Sequence, residues 1–110
     1  MAATLLALRD RARQRRRLDL YHEVRRALRD HLHVLIPGQR VVLFGSLTRP
    51  GVFNDASDVD LALEGDPHGM SAGVLMGELM ERLGRPVDLV RLDRCRFRDR
   101  ILREGEVWIC

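Results

Sequence analysis

No glycine or proline interrupts this chain before Pro37, so about a third of its 110 residues precedes the first backbone break. A stretch free of both residues, with apolar side chains three and four apart, is a helix. Leu20, Val24, Ala27/Leu28, His31 and Leu35 supply that stripe and predict a first core helix over about 18–36, ended by Pro37-Gly38. Ahead of it, Arg13, Arg15, Arg16 and Arg17 leave no clean apolar face. Residues 1–17 are therefore expected to form an Arg-rich helical extension, solvated or partner-bound, and residues 18–110 a single domain. A chain of this length builds one core, not two.

Beyond the break the periodicity changes. Val41-Val42-Leu43-Phe44 is a short continuous apolar run, the pattern of a strand buried on both faces, and it stops at Gly45-Ser46. Pro50, Gly51, Asn54 and Asp55 mark the following stretch as a loop. Asp58-Val59-Asp60-Leu61-Ala62-Leu63 alternates charged and apolar before turning fully apolar, as a strand does on entering a core. Gly65-Asp66-Pro67 is a turn. Ala72, Leu75/Met76, Leu79 and Leu83 recur at helical spacing up to Gly84, and Gly69, Gly73 and Gly77 are expected to pack one face of that helix on the sheet. Pro86-Val87-Asp88-Leu89-Val90 is a third strand. Asp93 to Arg103 reads as an Arg-rich helix burying Phe97, Ile101 and Leu102, and Val107-Trp108-Ile109 as a short extended tail. The order predicts an α+β two-layer domain, a small mixed sheet with helices on one side.

Composition excludes several classes. With 45% hydrophobic and 32% charged residues, the chain is neither collagen-like nor wholly disordered. No apolar run approaches the roughly 18–20 residues of a membrane span. Met1 to Leu6 run into Arg9-Asp10 without a basic lead, so no secretory signal is expected. Cys95 and Cys110 lack zinc-ligand spacing and are expected to be reduced thiols in a cytoplasmic protein. All 19 basic residues are arginine, and they are unevenly placed. Residues 1–40 carry +6, residues 41–90 carry −5 and residues 91–110 carry +2. An acidic centre between basic ends fits a carboxylate site flanked by surfaces for an anionic partner.

The acidic centre holds the chemistry. Residues two apart on a strand point the same way, so Asp58 and Asp60 present two carboxylates side by side. That arrangement is repulsive unless a cation shares it, and oxygen-only ligands suit magnesium or manganese. Asp88 is the single charge in its apolar run, on the strand expected beside the second, so three carboxylates converge from two strands as in a two-metal site. Gly45 lets backbone approach a phosphate, and a helical turn opening at Ser46 aims N–H groups at the anion. With no lysine in the chain, phosphate neutralisation falls to metal, amides and Arg49.

Taken together, Leu43-Phe44-Gly45-Ser46-Leu47-Thr48-Arg49, Ser57-Asp58-Val59-Asp60-Leu61 and Pro86-Val87-Asp88-Leu89-Val90 resemble the minimal nucleotidyltransferases of the DNA polymerase beta-like superfamily. Arg100 to Glu106 is similar to that family's C-terminal end, and the resemblance spans about residues 20–108. It implies a nucleotidyltransferase fold in which Asp58, Asp60 and Asp88 are metal ligands, Asp88 also a general base, and Gly45 and Ser46 hold the triphosphate. Eleven residues, Leu47 to Ser57, separate Ser46 from Asp58 where the family has ten, with Pro50-Gly51 where a single glycine is usual. That departure leaves loop geometry and the aim of Arg49 open.

The resemblance further implies an antitoxin encoded beside a HEPN-domain ribonuclease toxin, with Mg²⁺ (or Mn²⁺) as cofactor and AMP transferred from ATP to that partner. Larger relatives carry a substrate-binding domain, so a partner protein is expected to complete the substrate site or to be the substrate, in a hetero-oligomer or around a homo-oligomer. The rival is an antitoxin that acts by binding alone. Direct nucleic-acid binding by the N-terminal arginines is the weaker alternative, because no aromatic side chain stands among them to stack on bases.

Overall fold

The computed structural model describes residues 4–110. Thr4 caps the first helix, its Oγ1 accepting from the Ala7 amide at 3.0 Å, and α1 (Leu5–Leu35) runs unbroken to Ile36. The expected extension and first core helix are thus one element, and residues 1–3 of the extension lie outside the described residues. The two halves differ in what they touch. Tyr21, Val24, Leu28 and Leu32 are buried, whereas nearly every side chain before Leu20 is exposed.

After α1 come β1 (Arg40–Phe44), a 3₁₀ turn (Gly45–Thr48), β2 (Val59–Leu63), α2 (Ala72–Leu83), β3 (Val87–Arg91), a second 3₁₀ turn (Leu92–Arg94), α3 (Arg98–Glu104) and β4 (Glu106–Ile109). The sheet order is β3-β2-β1-β4. β1 is antiparallel to β2 and β4, and β2 is parallel to β3. The architecture is the expected α+β fold with a mixed sheet, and it has one more strand than the sequence pattern promised. Val107-Trp108-Ile109 do not trail as a tail; they pair with β1, Val41 opposite Trp108.

Alternation along the strands divides the core. Val41, Leu43, Val59, Leu61, Leu63 and Val87 face the layer formed by α1 and α2, with Trp108 beside them. Val42 and Ala62 face the other way and meet Leu92 and Ile101. Helices α1 and α2 thus share one side of the sheet, as expected, while α3 covers part of the opposite side. Gly105 permits that docking: a Cβ there would lie 2.5 Å from both the Ile101 carbonyl oxygen and Val42 Cγ1.

Two smaller expectations fail for physical reasons. Gly73 and Gly77 are exposed, a notional Cβ meeting only Ser71 Oγ at 3.9 Å on Gly73 and nothing on Gly77, and Gly69 precedes the helix, so no glycine face packs on the sheet; Leu75 and Leu79 are buried instead. The predicted helix over 93–103 is broken at Cys95–Phe97, which leaves Phe97 61% exposed, while Ile101 is buried. Among the described residues, no helix is long and apolar enough to cross a membrane.

Candidate active site

The carboxylates gather where β1 ends and β2 and β3 begin. In the parallel ladder Asp60 stands directly opposite Asp88, and in the antiparallel ladder it stands opposite Phe44. Both aspartates project from the α3 side, because their neighbours Val59, Leu61 and Val87 point into the α1–α2 layer. Asp58 lies just before β2 and is exposed, Asp88 is exposed, and Asp60 is half-buried. Burial first, then the charges of Asp88 and Asp58, push the Asp60 carboxyl up to about 6. The protein thus places negative charge where it is poorly solvated, and among the described residues no ion pair offsets it at Asp60.

Gly45 has φ +73°, the left-handed region that favours glycine, and a Cβ at this position would collide with the Asp60 carboxylate. The glycine therefore has two reasons to be there: the turn it makes and the aspartate it accommodates. From it the 3₁₀ turn opens, its first amides free of partners within the turn. Thr48 Oγ1 donates to the Gly45 carbonyl at 2.7 Å and steadies the turn. Leu47 is fully buried, and its carbonyl accepts from the Arg25 guanidinium at 2.9 Å, which ties the turn to α1.

The eleven-residue loop to Asp58 is ordered by its own chemistry. Arg49-Pro50-Gly51-Val52 makes a β-turn closed by the Val52 amide on the Arg49 carbonyl at 3.1 Å, with Gly51 at φ +84°. Phe53 is fully buried and carries the Arg85 guanidinium 4.8 Å from its ring centroid. Arg85 also donates to the Ser57 carbonyl at 3.1 Å, and the Asn54 side chain accepts from the Ala56 amide at 2.9 Å. Pro50 and Gly51, the dipeptide at which the loop departs from the resembled pattern, are the central residues of the Arg49–Val52 turn.

Over this end of the sheet lies a cleft of about 720 Å³. Gly45, Thr48 and Arg49 form one wall, Phe97, Arg100 and Ile101 the other, and Phe44, Asp88 and Val90 the floor. Of the residues singled out in the sequence, Gly45, Arg49 and Asp88 line it directly. Asp60 sits between Gly45 and Asp88, and Ser46 and Asp58 lie outside the lining. Among the described residues, no three His, Cys, Asp or Glu side chains stand close enough to hold a metal ion, so the aspartates are neighbours and not a finished cage. Their donor set is nonetheless what a hard divalent cation takes: oxygen only, with charge repulsion to relieve.

Sequence reading missed Phe97 and Arg100, having assigned Phe97 to the core, and missed Arg25 altogether. For Phe97 the only signal was its place between Arg96 and Arg98, and its i,i+4 spacing to Ile101 argued the other way. For Arg25 there was none, since one arginine among ten in residues 1–40 does not announce a partner 81 residues away at Glu106.

A family model described as "Polymerase beta, Nucleotidyltransferase" matches residues 39–110. Searches of curated proteins and of solved structures give no significant match. The matched span opens one residue before β1 and takes in all four strands, the Gly45 turn and the three aspartates, leaving α1 outside. With turn, strand-borne carboxylates and cleft all inside it, the chain belongs to the polymerase beta-like nucleotidyltransferases.

Proposed function

We propose that this nucleotidyltransferase transfers AMP from ATP to a hydroxyl of a partner protein and serves as the antitoxin of a HEPN-type toxin–antitoxin pair. The observation that carries the catalytic half of the reading is Asp60, opposite Asp88 and against Gly45, with its carboxyl raised to about 6 by burial and two like charges. Such an arrangement is costly to a protein that gains nothing from it. Asp58, Asp60 and Asp88 would hold magnesium or manganese, which when bound supplies Lewis-acid polarisation of a phosphate and acidifies a hydroxyl. The chain's own residues do the rest. The Gly45–Ser46 backbone and Arg49 bind and orient the triphosphate. Asp88, exposed on the cleft floor, accepts the proton of the acceptor hydroxyl. The hydroxyl oxygen bonds to the α-phosphorus, the bond from that phosphorus to the α–β bridging oxygen breaks, and pyrophosphate leaves.

A protein acceptor is supported by where α1 goes. It passes over the loop that precedes Asp58, with Gln14 Oε1 3.6 Å from a notional Cβ on Gly51, and its residues ahead of Gln14 are almost all exposed. A partner that grips this arm is brought to the loop that leads into Asp58.

The test uses ATP labelled at the α- or the γ-phosphate, incubated with magnesium, this protein and the neighbouring gene product. The expected result is label on the partner from the α position only, lost in an Asp58→Asn/Asp60→Asn variant. Full transfer by that variant would end the mechanism. The second reading, neutralisation by binding alone, is favoured by the unformed ligand cage. It predicts complex formation without label transfer and no rise in melting temperature with millimolar magnesium-ATP.

A further inference from the structure

We propose that the cleft beneath α3 seats the nucleobase of the nucleoside triphosphate and that Phe97 is the surface on which the base stacks, an assignment that rests on the nucleotidyl-transfer reading above. Phe97 is the residue before α3. Its carbonyl accepts from the Ile101 amide at 2.9 Å, and its own amide approaches Cys95 Sγ at 3.4 Å. The backbone is therefore held while the side chain, 61% exposed, is left at the lip of the cleft. A large aromatic presented to water beside an apolar cavity is the informative kind of exposure, because burying it would be favourable.

The cleft lining combines two kinds of chemistry. Gly45, Arg49 and Asp88, the residues assigned to phosphate and proton transfer, share the lining with apolar surface from Val90, Cys95, Phe97 and Ile101. Because both line one cavity, a ligand anchored by its phosphates at the first group has apolar surface within reach of its remaining part. The part of a nucleoside triphosphate that suits such a surface is the base, which every aromatic face can stack against. The volume of about 720 Å³ lies in the range of sites that enclose a molecule of this size. Arg100 beside Phe97 is paired with Glu104 at 3.3 Å, so this wall adds little net charge and leaves stacking as the dominant contact.

Binding of magnesium-ATP and of magnesium tripolyphosphate, which has the phosphates without base or sugar, separates the two contributions. Titration calorimetry on the wild-type protein and on Phe97→Ala and Phe97→Trp is the experiment. The wild type is expected to bind ATP at least about tenfold more tightly than tripolyphosphate. Phe97→Ala should lose about five- to a hundredfold in ATP affinity with tripolyphosphate unchanged, and Phe97→Trp should keep ATP affinity. Melting curves check the fold, which an exposed side chain should barely affect. Wild-type ATP affinity in Phe97→Ala overturns the assignment, as does an equal loss for both ligands, which would place Phe97 in the architecture of the cleft. If the wild type binds neither ligand at millimolar concentration, the nucleotidyl-transfer reading fails and takes this assignment with it.

Discussion

Asp60 is where folding and function pull apart. A carboxyl whose folded pKa is raised to about 6, above an unfolded value near 3.9, binds its proton more tightly when the chain is folded. Stability from this group is therefore full below about pH 4 and is lost as pH climbs towards 6. Asp60→Asn removes the penalty. In chelator-treated protein at pH 7.5 the variant should be more stable by about 1 kcal/mol, after discounting for the solvent that reaches this half-buried group. At pH 4 the gain should vanish, and thermal melts at the two pH values check it. The same variant should lose nucleotidyl transfer by at least about a hundredfold, so a more stable protein that no longer works is the signature of a carboxylate retained for chemistry. The placement of Asp60 beside Asp88 was legible in the sequence, because strand alternation and strand adjacency can be read there. The collision that a Gly45 side chain would make with Asp60 was not, since it depends on how closely the turn folds back on β2.

Among the elements, α1 and β4 are joined by a clamp. Arg25 forms an ion pair with Glu106 at 2.6 Å, donates to the Leu47 carbonyl, and lies within 4.9 Å and 5.2 Å of the Tyr21 and Trp108 ring centroids. Trp108 Nε1 donates to the same Glu106 carboxylate at 3.1 Å. The hydrogen bond from Arg25 holds Glu106 below the usual carboxylate range, so its contribution is present at neutral pH and lost as pH falls through the folded pKa, opposite in sign to Asp60. Arg25→Ala should cost about 2 kcal/mol in denaturant unfolding, and Arg25→Lys should recover little, because a lysine cannot reach both oxygens with a planar fork. At the other face, Gly105→Ala drives a methyl into Ile101 and Val42 and should cost about 2–3 kcal/mol, measured the same way. These junctions mark the limit of what periodicity reveals. Helices and strands with clean stripes were legible. Strand β4 was not, because with Val107 and Ile109 exposed its four residues form an edge with one buried side chain, Trp108. The break at Cys95–Phe97 was also hidden, because the helical spacing of Phe97 and Ile101 survives a break that only the three-dimensional path of the chain imposes.

At the scale of the whole molecule, the asymmetry lies in α1. The protein measures 58 × 28 × 20 Å, and the long dimension reflects a helix that outruns its core. From Leu5 to Leu20 the helix rises about 22 Å, and in that length Arg9, Arg11, Arg13, Arg15, Arg16 and Arg17 have no ion-pair partner among the described residues, while Leu5 and Leu6 are 86% and 66% exposed. An isolated helix of this length is marginal in water, so its order here derives from continuity with the packed half and from the Thr4 cap. If the proposed partner docks on these exposed leucines and unpaired arginines, charge complementarity requires an acidic surface on it. Arg11 and Arg15 are one turn apart, and reversing both to glutamate tests this without disturbing the core. Melting temperature should move by no more than the equivalent of about 0.5 kcal/mol, and ATP affinity should stay unchanged. Affinity for the partner protein should fall about tenfold at 50 mM salt, and the difference should narrow at 500 mM, where exposed charges are screened beyond roughly 4 Å. Unchanged partner affinity at low salt would assign docking to the globular body and leave the arginines as a solvated face.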